Sequence, residues 1–320
     1  MTTRTCPNHH RRDKANRHTH PRYARPAEPS PLRGRRGWVG TADNVGGVSA
    51  RGAGARGWLG SSLAEQPPVV TDPGKRRALV IEIVLVLAVT LGLSGLRSLL
   101  ALLDALLAPG SLADQSVAIN APVRKNELMD LGYQLTGVMQ LLAWAGMGAY
   151  LLWRSGISLR VVGLDRRSAG RDAGLGIGLA AMIGVPGLGL YLLARAAGLN
   201  LTVAPSTLAD TWWRVPVLVA AAVANALAEE MLVVGYLITR LRQLGHQGAG
   251  ALVASAALRG SYHLYQGFGG FVGNLVMGLV FGRVWQRTHR LWPLVIAHTL
   301  IDTVAFVGYA LLHGRVPWLP

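Results

Sequence analysis

The sequence predicts an all-α protein, a polytopic membrane helix bundle of about seven transmembrane helices behind a disordered, basic amino-terminal tail. Three observations carry this. Apolar residues make up 51% of the 320 positions and charged residues only 15%, giving a mean hydropathy of +0.32. The polar groups are swept out of recurring runs of about twenty residues, the length that crosses a bilayer as a helix. The basic residues between these runs fall in alternate loops, as expected where the cytoplasmic face of a membrane collects Arg and Lys. Residues 1–74 stand apart: they are rich in Arg, Pro, Gly and Ser and have no sustained apolar period.

The tail comes first in the chain. Through Arg77 there are 15 Lys or Arg against 5 Asp or Glu, so a net +10 of the total +16 lies in this stretch. No apolar segment of the kind a signal peptide needs is present in it. Its arginines suit contact with anionic lipid; no folded nucleic-acid motif accompanies them, so no specific nucleic-acid partner is expected. Lysine is scarce, 3 residues against 29 Arg, as high-GC coding produces, and an over-extended start with a membrane-protein beginning near Val70 is the alternative reading of the tail. The single cysteine, Cys6, excludes a disulfide framework and any Cys-based zinc site within the chain.

The predicted spans are 78–103, 132–153, 173–197, 216–238, 248–265, 268–285 and 291–312. Residues 75–215 supply the amino-terminal helices and 216–312 the helices that carry polar residues. Lys75, Arg76 and Arg77 precede the first span, and Arg154, Arg160, Arg166, Arg167 and Arg171 fill the loop after the second. Arg240 and Arg242 follow the fourth, while Arg283, Arg287 and Arg290 lie between the sixth and seventh. All of these fall on one side of a seven-span path, which predicts a multi-pass protein of the cell membrane with the amino terminus cytoplasmic and the carboxyl terminus outside. Glu82 and Asp104, near the ends of the first span, read as interfacial. The glycines from 174 to 189 read as close helix contacts, and no Walker or dinucleotide fingerprint is present.

The chemistry is concentrated in the last four spans. Glu229 and Glu230 sit inside the apolar run 216–238, where an unpartnered carboxylate costs about 2.5 to 3.5 kcal/mol on insertion scales. Adjacent residues on a helix point about 100 degrees apart, so the two carboxylates face different neighbours. Asn225 lies one turn before Glu229. His263 follows in the fifth span, and His298 and Asp302, four apart, share a face of the seventh. Carboxylates and imidazoles recurring at membrane depth point to a buried reaction centre. Helical rise puts Glu229 about 14 Å and His298 about 10 Å from the inner ends of their spans, while a straight fifth span puts His263 about 22 Å deep.

The segments AEEMLVVGYLITRL, SYHLYQGF and PLVIAHTLID, in that order over about 216–306, resemble the CPBP family of intramembrane proteases, which includes the CAAX-type prenyl-protein endopeptidases and the Abi or bacteriocin-processing proteins. The family's first motif places an arginine four positions after its second glutamate, and here that position is Val234. Its second motif has Phe four residues before the histidine, and here that position is Arg259. Its third motif, His followed after three residues by Asn or Asp, is matched by His298 and Asp302. The resemblance implies a CPBP-like catalytic core over 216–312 and an intramembrane endopeptidase. In it Glu229 activates water, His263 positions or polarises it, and His298 with Asp302 stabilises the oxyanion or binds the polar reaction centre. It implies a peptide or membrane-protein substrate, prenylated or a leader peptide, within the lipid bilayer. A divalent metal such as zinc held by Glu229, His263 and His298 is the alternative to direct Glu–His activation of water. Because Val234 departs from the motif, a catalytically inactive homologue acting as a membrane scaffold or immunity protein is a second reading, and a proton-coupled transporter a third. Glu230 still needs a cationic partner, and Arg259 on the next span is expected to supply it, the alternatives being that Arg259 snorkels to the interface or pairs with Asp302.

Overall fold

The computed structural model describes residues 68–246 and 248–316. The basic tail expected over residues 1–74 lies, except for its last seven residues, outside the described part.

Asp72 starts the fold. Its carboxylate accepts the Lys75 backbone N–H at 2.8 Å and Pro73 occupies the first turn, so α1 (Pro73–Val89) begins where capping chemistry places it. At Thr90 the helix breaks, the Thr90 hydroxyl donating to the Val86 carbonyl, and α2 (Leu91–Leu107) continues at 49°. A 3₁₀ turn and the strand β1 (Ser116–Asn120) follow. Asn126 then caps α3 (Glu127–Arg154) by accepting the Met129 N–H, with Glu127 and Asp130 complementing the helix dipole. After α4 (Ala169–Ala196), strand β2 (Thr202–Ser206) pairs parallel with β1. This small sheet, in the polar loops of an otherwise helical protein, left no alternation long enough to read in the sequence.

The remaining helices build the core. Residues Arg214–Gln243 form one long rod, but not a uniform one: α5 (Arg214–Glu229) passes at Glu230 into a π-helical segment (Glu230–Ile238) and ends as α6 (Thr239–Gln243). Then come α7 (Ala249–Ser261), a 3₁₀ turn at Leu264–Gln266, α8 (Phe268–Thr288) and α9 (Trp292–Leu312). The rod is the axis of the bundle. Leu232, Val233, Val234, Tyr236 and Ile238 are fully buried, whereas the other long helices turn much of their surface outward, as membrane-facing helices do.

Among the described residues, five helices are long and apolar enough to cross a membrane, and six spans result if the bent α1–α2 pair counts as one. The predicted fifth span, 248–265, differs. Its helix has only 13 residues, about 20 Å at the helical rise and too short alone for a bilayer. The path nevertheless runs from one end of the bundle to the other. Gln286 at the end of α8 donates to the Gly248 carbonyl, while Phe268 and Gly270 at its start bind Leu199 and Asn200 beyond the far end of α4. The stretch 249–267 therefore makes a pass as a short helix plus an irregular turn. A backbone of that kind at membrane depth is tolerated where protein covers it, and α2 does so, the Ser98 hydroxyl donating to the Tyr262 carbonyl at 2.8 Å.

Two sequence readings of charge change. Glu82 is not simply interfacial: it accepts the Tyr236 hydroxyl and pairs with Arg240, each at 2.9 Å. Arg240, expected as a loop charge, is 2% exposed and also binds Gln243, Ser155 and the Leu151 carbonyl. These bonds tie α1, α3 and the end of the central rod together. At the same end, Arg290 holds Asp165 at 2.8 Å and Asp172, pinning the α3–α4 loop to the α8–α9 turn. The Arg290 guanidinium and the Arg167 amide keep the Asp165 carboxyl below its ordinary value of 3.8. That contribution to stability is present above the ordinary value and is lost as pH falls through the lower folded one.

Of the α4 glycines read from sequence as close helix contacts, only Gly176 is tightly packed, a Cβ there coming within 2.8 Å of the Ile296 side chain and 2.9 Å of the Pro293 carbonyl on α9, whereas Gly174, Gly178, Gly187 and Gly189 have no atom within 4 Å. Gly163 has the tightest constraint. Its φ is +85°, and a Cβ there would overlap the backbone of His289 and Arg290. Gly163→Ala should therefore lower the detergent melting temperature clearly more than Gly156→Ala, where φ is +83° but no atom lies within 4 Å. The second substitution should show only the left-handed backbone cost of about 1 to 2 kcal/mol. Equal shifts at both positions would refute the packing role of Gly163.

Candidate active site

The two glutamates straddle the junction where α-helix becomes π-helix, Glu229 ending the first and Glu230 beginning the second. A π segment adds a residue per turn and re-aims the side chains around it, and such segments concentrate at functional sites. Its loosened carbonyls are held by hydroxyls: Ser255 donates to Val233 and Thr239 to Gly235, at 2.8 and 2.6 Å.

Glu230 is fully buried and faces two nitrogen donors. Arg259 reaches its Oε1 at 2.6 Å and His298 Nδ1 reaches the same oxygen at 2.8 Å. The guanidinium absent from Val234 thus arrives from α7, and the expected Glu230–Arg259 pair is present with both side chains 0% exposed. Val234 itself packs wholly in the hydrophobic core. The alternative pairing of Arg259 with Asp302 is not what is found. Asp302 instead accepts the Asn225 amide at 2.9 Å and lies 3.5 Å from His298 Nε2.

Glu229 points elsewhere, as residues about 100 degrees apart must. Its Oε2 accepts the Tyr262 hydroxyl at 2.7 Å and lies 3.7 Å from Arg259 Nη1, while its Oε1 faces His263 Nε2 at 4.0 Å. That separation is longer than a hydrogen bond. His263 Nε2 is buried without a hydrogen-bond partner among the described residues. Its Nδ1 lies 3.4 Å from the Gln266 amide. His263 sits beyond the end of α7, in the irregular turn rather than on a straight helix, so the 22 Å depth estimated from helical rise does not apply. The break lets the ring swing back to Glu229. Tyr262 was missed by sequence reasoning; its only signal was its place beside His263.

Asn225, Glu229, Glu230, Arg259, His263, His298 and Asp302 thus come together from α5, the π segment, the α7 turn and α9. The match to known families covers the same stretch: residues 211–304 fit the family model described as type II CAAX prenyl endopeptidase, Rce1-like. Over that stretch the chain is similar to the CPBP-type CAAX proteases. No curated protein and no solved structure matches the chain. The likeness supports an intramembrane endopeptidase in general, and at the two positions where the motifs are not matched, Val234 is apolar and Arg259 carries the guanidinium that meets Glu230.

Zinc does not fit this arrangement. Both ring nitrogens of His298 face carboxylates, Glu230 on one side and Asp302 on the other. Glu230 Oε1 is occupied by Arg259, and no three His, Cys, Asp or Glu side chains among the described residues converge as ligands. The expected triad of Glu229, His263 and His298 is therefore split between two carboxylates, and no step below is routed through a metal.

A buried charge whose partner is removed costs about 3 to 5 kcal/mol. Arg259→Phe should destabilise the protein by that order in a detergent melt, and Val234→Arg combined with Arg259→Phe should recover part of the loss. An unchanged melting temperature for Arg259→Phe would reject the pair as a structural element.

Proposed function

We propose that this protein is an intramembrane endopeptidase in which Glu229 acts as the general base. The observation that carries the reading is the division of labour between the two glutamates. Glu230 is tied up by Arg259 and His298, whereas Glu229 has one oxygen fixed by Tyr262 and the other facing His263 across 4.0 Å.

A water molecule bridging Glu229 Oε1 and His263 Nε2 would be within reach of both. Glu229 takes its proton as the oxygen attacks the scissile carbonyl; the carbonyl carbon becomes tetrahedral and its oxygen takes the negative charge. Donors aimed at that oxygen then lower the barrier. His298 is placed for this, its Nε2 held only loosely by Asp302 at 3.5 Å, and Asn225 fixes Asp302 in turn. Glu229 passes the proton to the leaving amine as the C–N bond breaks, releasing a carboxyl-terminal and an amino-terminal product. Arg259 and His298 hold Glu230 in place through the same oxygen, so Glu229 is the carboxylate left to face the water. The lack of an arginine at Val234 is the ground for an inactive scaffold, and the Arg259 guanidinium on Glu230 supports the active reading instead.

Comparative terminal proteomics of membranes from cells expressing the wild type and Glu229→Gln tests the activity: new peptide termini should appear only with the wild type. Identical sets of termini would reject the protease. Glu229→Ala, His263→Ala and His298→Ala should each abolish most cleavage, with double variants little worse than single ones, because the three share one transition state. Tyr262→Phe removes one hydrogen bond to a charged group, worth about 1.5 to 3 kcal/mol, and should slow cleavage about ten- to one-hundred-fold while leaving the protein folded.

A further inference from the structure

We propose that the cavity between the start of α5 and the end of α9 binds a phosphate group, carried by the headgroup of an anionic phospholipid or by a free phosphate species. It lies away from the paired glutamates and does not depend on the protease reading. Arg214 precedes Glu229 by fifteen residues and His313 follows His298 by fifteen, about 22 Å along each helix at the helical rise.

The cavity has a volume of about 360 Å³, and Ser206, Thr207, Arg214, Tyr309 and His313 supply its polar lining. That volume falls within the range of small-molecule sites, about 300 to 1,000 Å³. Among the described residues, none that lines it is acidic. Arg214 is 13% exposed, and its Nη2 meets at 2.8 Å the carboxylate of Asp210, which is 88% exposed. A pair that exposed is weak. Ser206 is buried, and its hydroxyl accepts the Leu208 N–H at 3.4 Å, which leaves its own hydrogen to donate. His313 is exposed at the end of α9 and stacks on Tyr309, with ring centroids 4.8 Å apart.

A second observation points to an acceptor. Among the described residues, the buried side-chain nitrogens and oxygens without a hydrogen-bond partner fall in three places: the centre around the two glutamates, Arg240, and residues 211–214. In the last they are Thr211 Oγ1, Trp213 Nε1 and Arg214 Nε. An indole N–H and a guanidinium N–H can only donate, and leaving such donors unmade inside a protein is costly. What this corner lacks is therefore acceptors. Phosphate oxygens supply them together with negative charge, and the planar guanidinium fork matches their geometry.

The level of the cavity suits a lipid headgroup. Arg214 begins, and His313 directly follows, two of the helices long and apolar enough to cross a membrane, so the cavity stands at the height of the polar headgroup region. Trp212 beside it is 79% exposed, as an interfacial anchor is. Val215 and Val219 on α5 and Leu311 and Leu312 on α9 are exposed apolar surface for acyl chains. Leu208, Trp213, Val217 and Phe306 pack into one buried cluster that holds the two helix ends together.

Thermal melts in a phosphate-free maltoside detergent test the site, because a ligand that binds the folded state raises the melting temperature. The additives are phosphatidylglycerol, a diacylglycerol with the same acyl chains, and inorganic phosphate against chloride at equal ionic strength. Phosphatidylglycerol should raise the melting temperature and the diacylglycerol should not. Arg214→Gln should weaken the apparent affinity for phosphatidylglycerol about ten- to one-hundred-fold, the loss of a charge-assisted hydrogen bond. Ala310→Phe fills the cavity without removing a charge; it should weaken binding too, and it carries the comparison if Arg214→Gln does not fold. Arg124→Gln, at an exposed arginine outside the cavity, should leave the affinity unchanged. A rise with inorganic phosphate beyond that with chloride, removed by the same variants, assigns the site to free phosphate, and a rise with the phospholipid alone assigns it to the headgroup. No rise with either, an equal rise with the diacylglycerol, an affinity untouched by Ala310→Phe, or an equal weakening by Arg124→Gln would overturn the proposal.

Discussion

The buried pairing of Glu230 with Arg259 is the constraint around which the rest of this bundle is arranged. Two opposite charges at 0% exposure are each costly to desolvate, and only close geometry and further hydrogen bonds offset that cost. The geometry is close, at 2.6 Å, and His298 adds a second bond to the same carboxylate oxygen. Three elements distant in sequence are thereby fixed to one point: the π segment, α7 and α9. None of them could shift by a turn without leaving a charge unpaired in an apolar interior.

This pairing explains why the second glutamate cannot share the role of the first. Glu230 is surrounded and held, so its charge serves position. Glu229, on the neighbouring face, has a hydroxyl on one oxygen and an imidazole opposite the other, which is the ground for proposing it as the base. The π segment that starts at Glu230 sets the angle between them and the helices they address. Ser255 and Thr239 make that segment tenable by donating to its carbonyls, and Ser255 lies one turn before Arg259 on the same helix. Support for the unusual backbone and neutralisation of its buried carboxylate therefore arrive on one face of α7.

α7 is also the element whose shortness matters most. A straight helix through residues 248–265 would carry His263 past the glutamates. Ending at Ser261, it leaves Tyr262 and His263 in a turn that bends back to Glu229, and α2 covers the exposed backbone by bonding Tyr262. The cost is a pass that does not meet the length of a spanning helix, and the seam with α8 compensates through close packing: a Cβ at Gly278 would lie 2.9 Å from the Ala256 backbone and one at Gly260 would lie 2.9 Å from the Phe271 ring.

The amino-acid sequence by itself determined the helical membrane class, the long apolar elements and the set of residues that meet in the site. These follow from local composition and from the high cost of placing Glu229, Glu230, His263 and His298 in apolar runs, a cost that only mutual contact relieves. It also made Arg259 and Glu230 candidate partners, because each was a charge without a partner on its own helix, while the choice of Glu230 over Asp302 came from packing. The tertiary structure alone decided the division between the glutamates, the π segment, the early end of α7, the hydroxyl of Tyr262 on Glu229 and the burial of Arg240 against Glu82. Each of these depends on which side chain another element brings across, and no helical period records that. The Asp302 carboxylate shows the difference most plainly: its spacing from His298 placed both on one face, but only packing against α5 brought Asn225 to hold it.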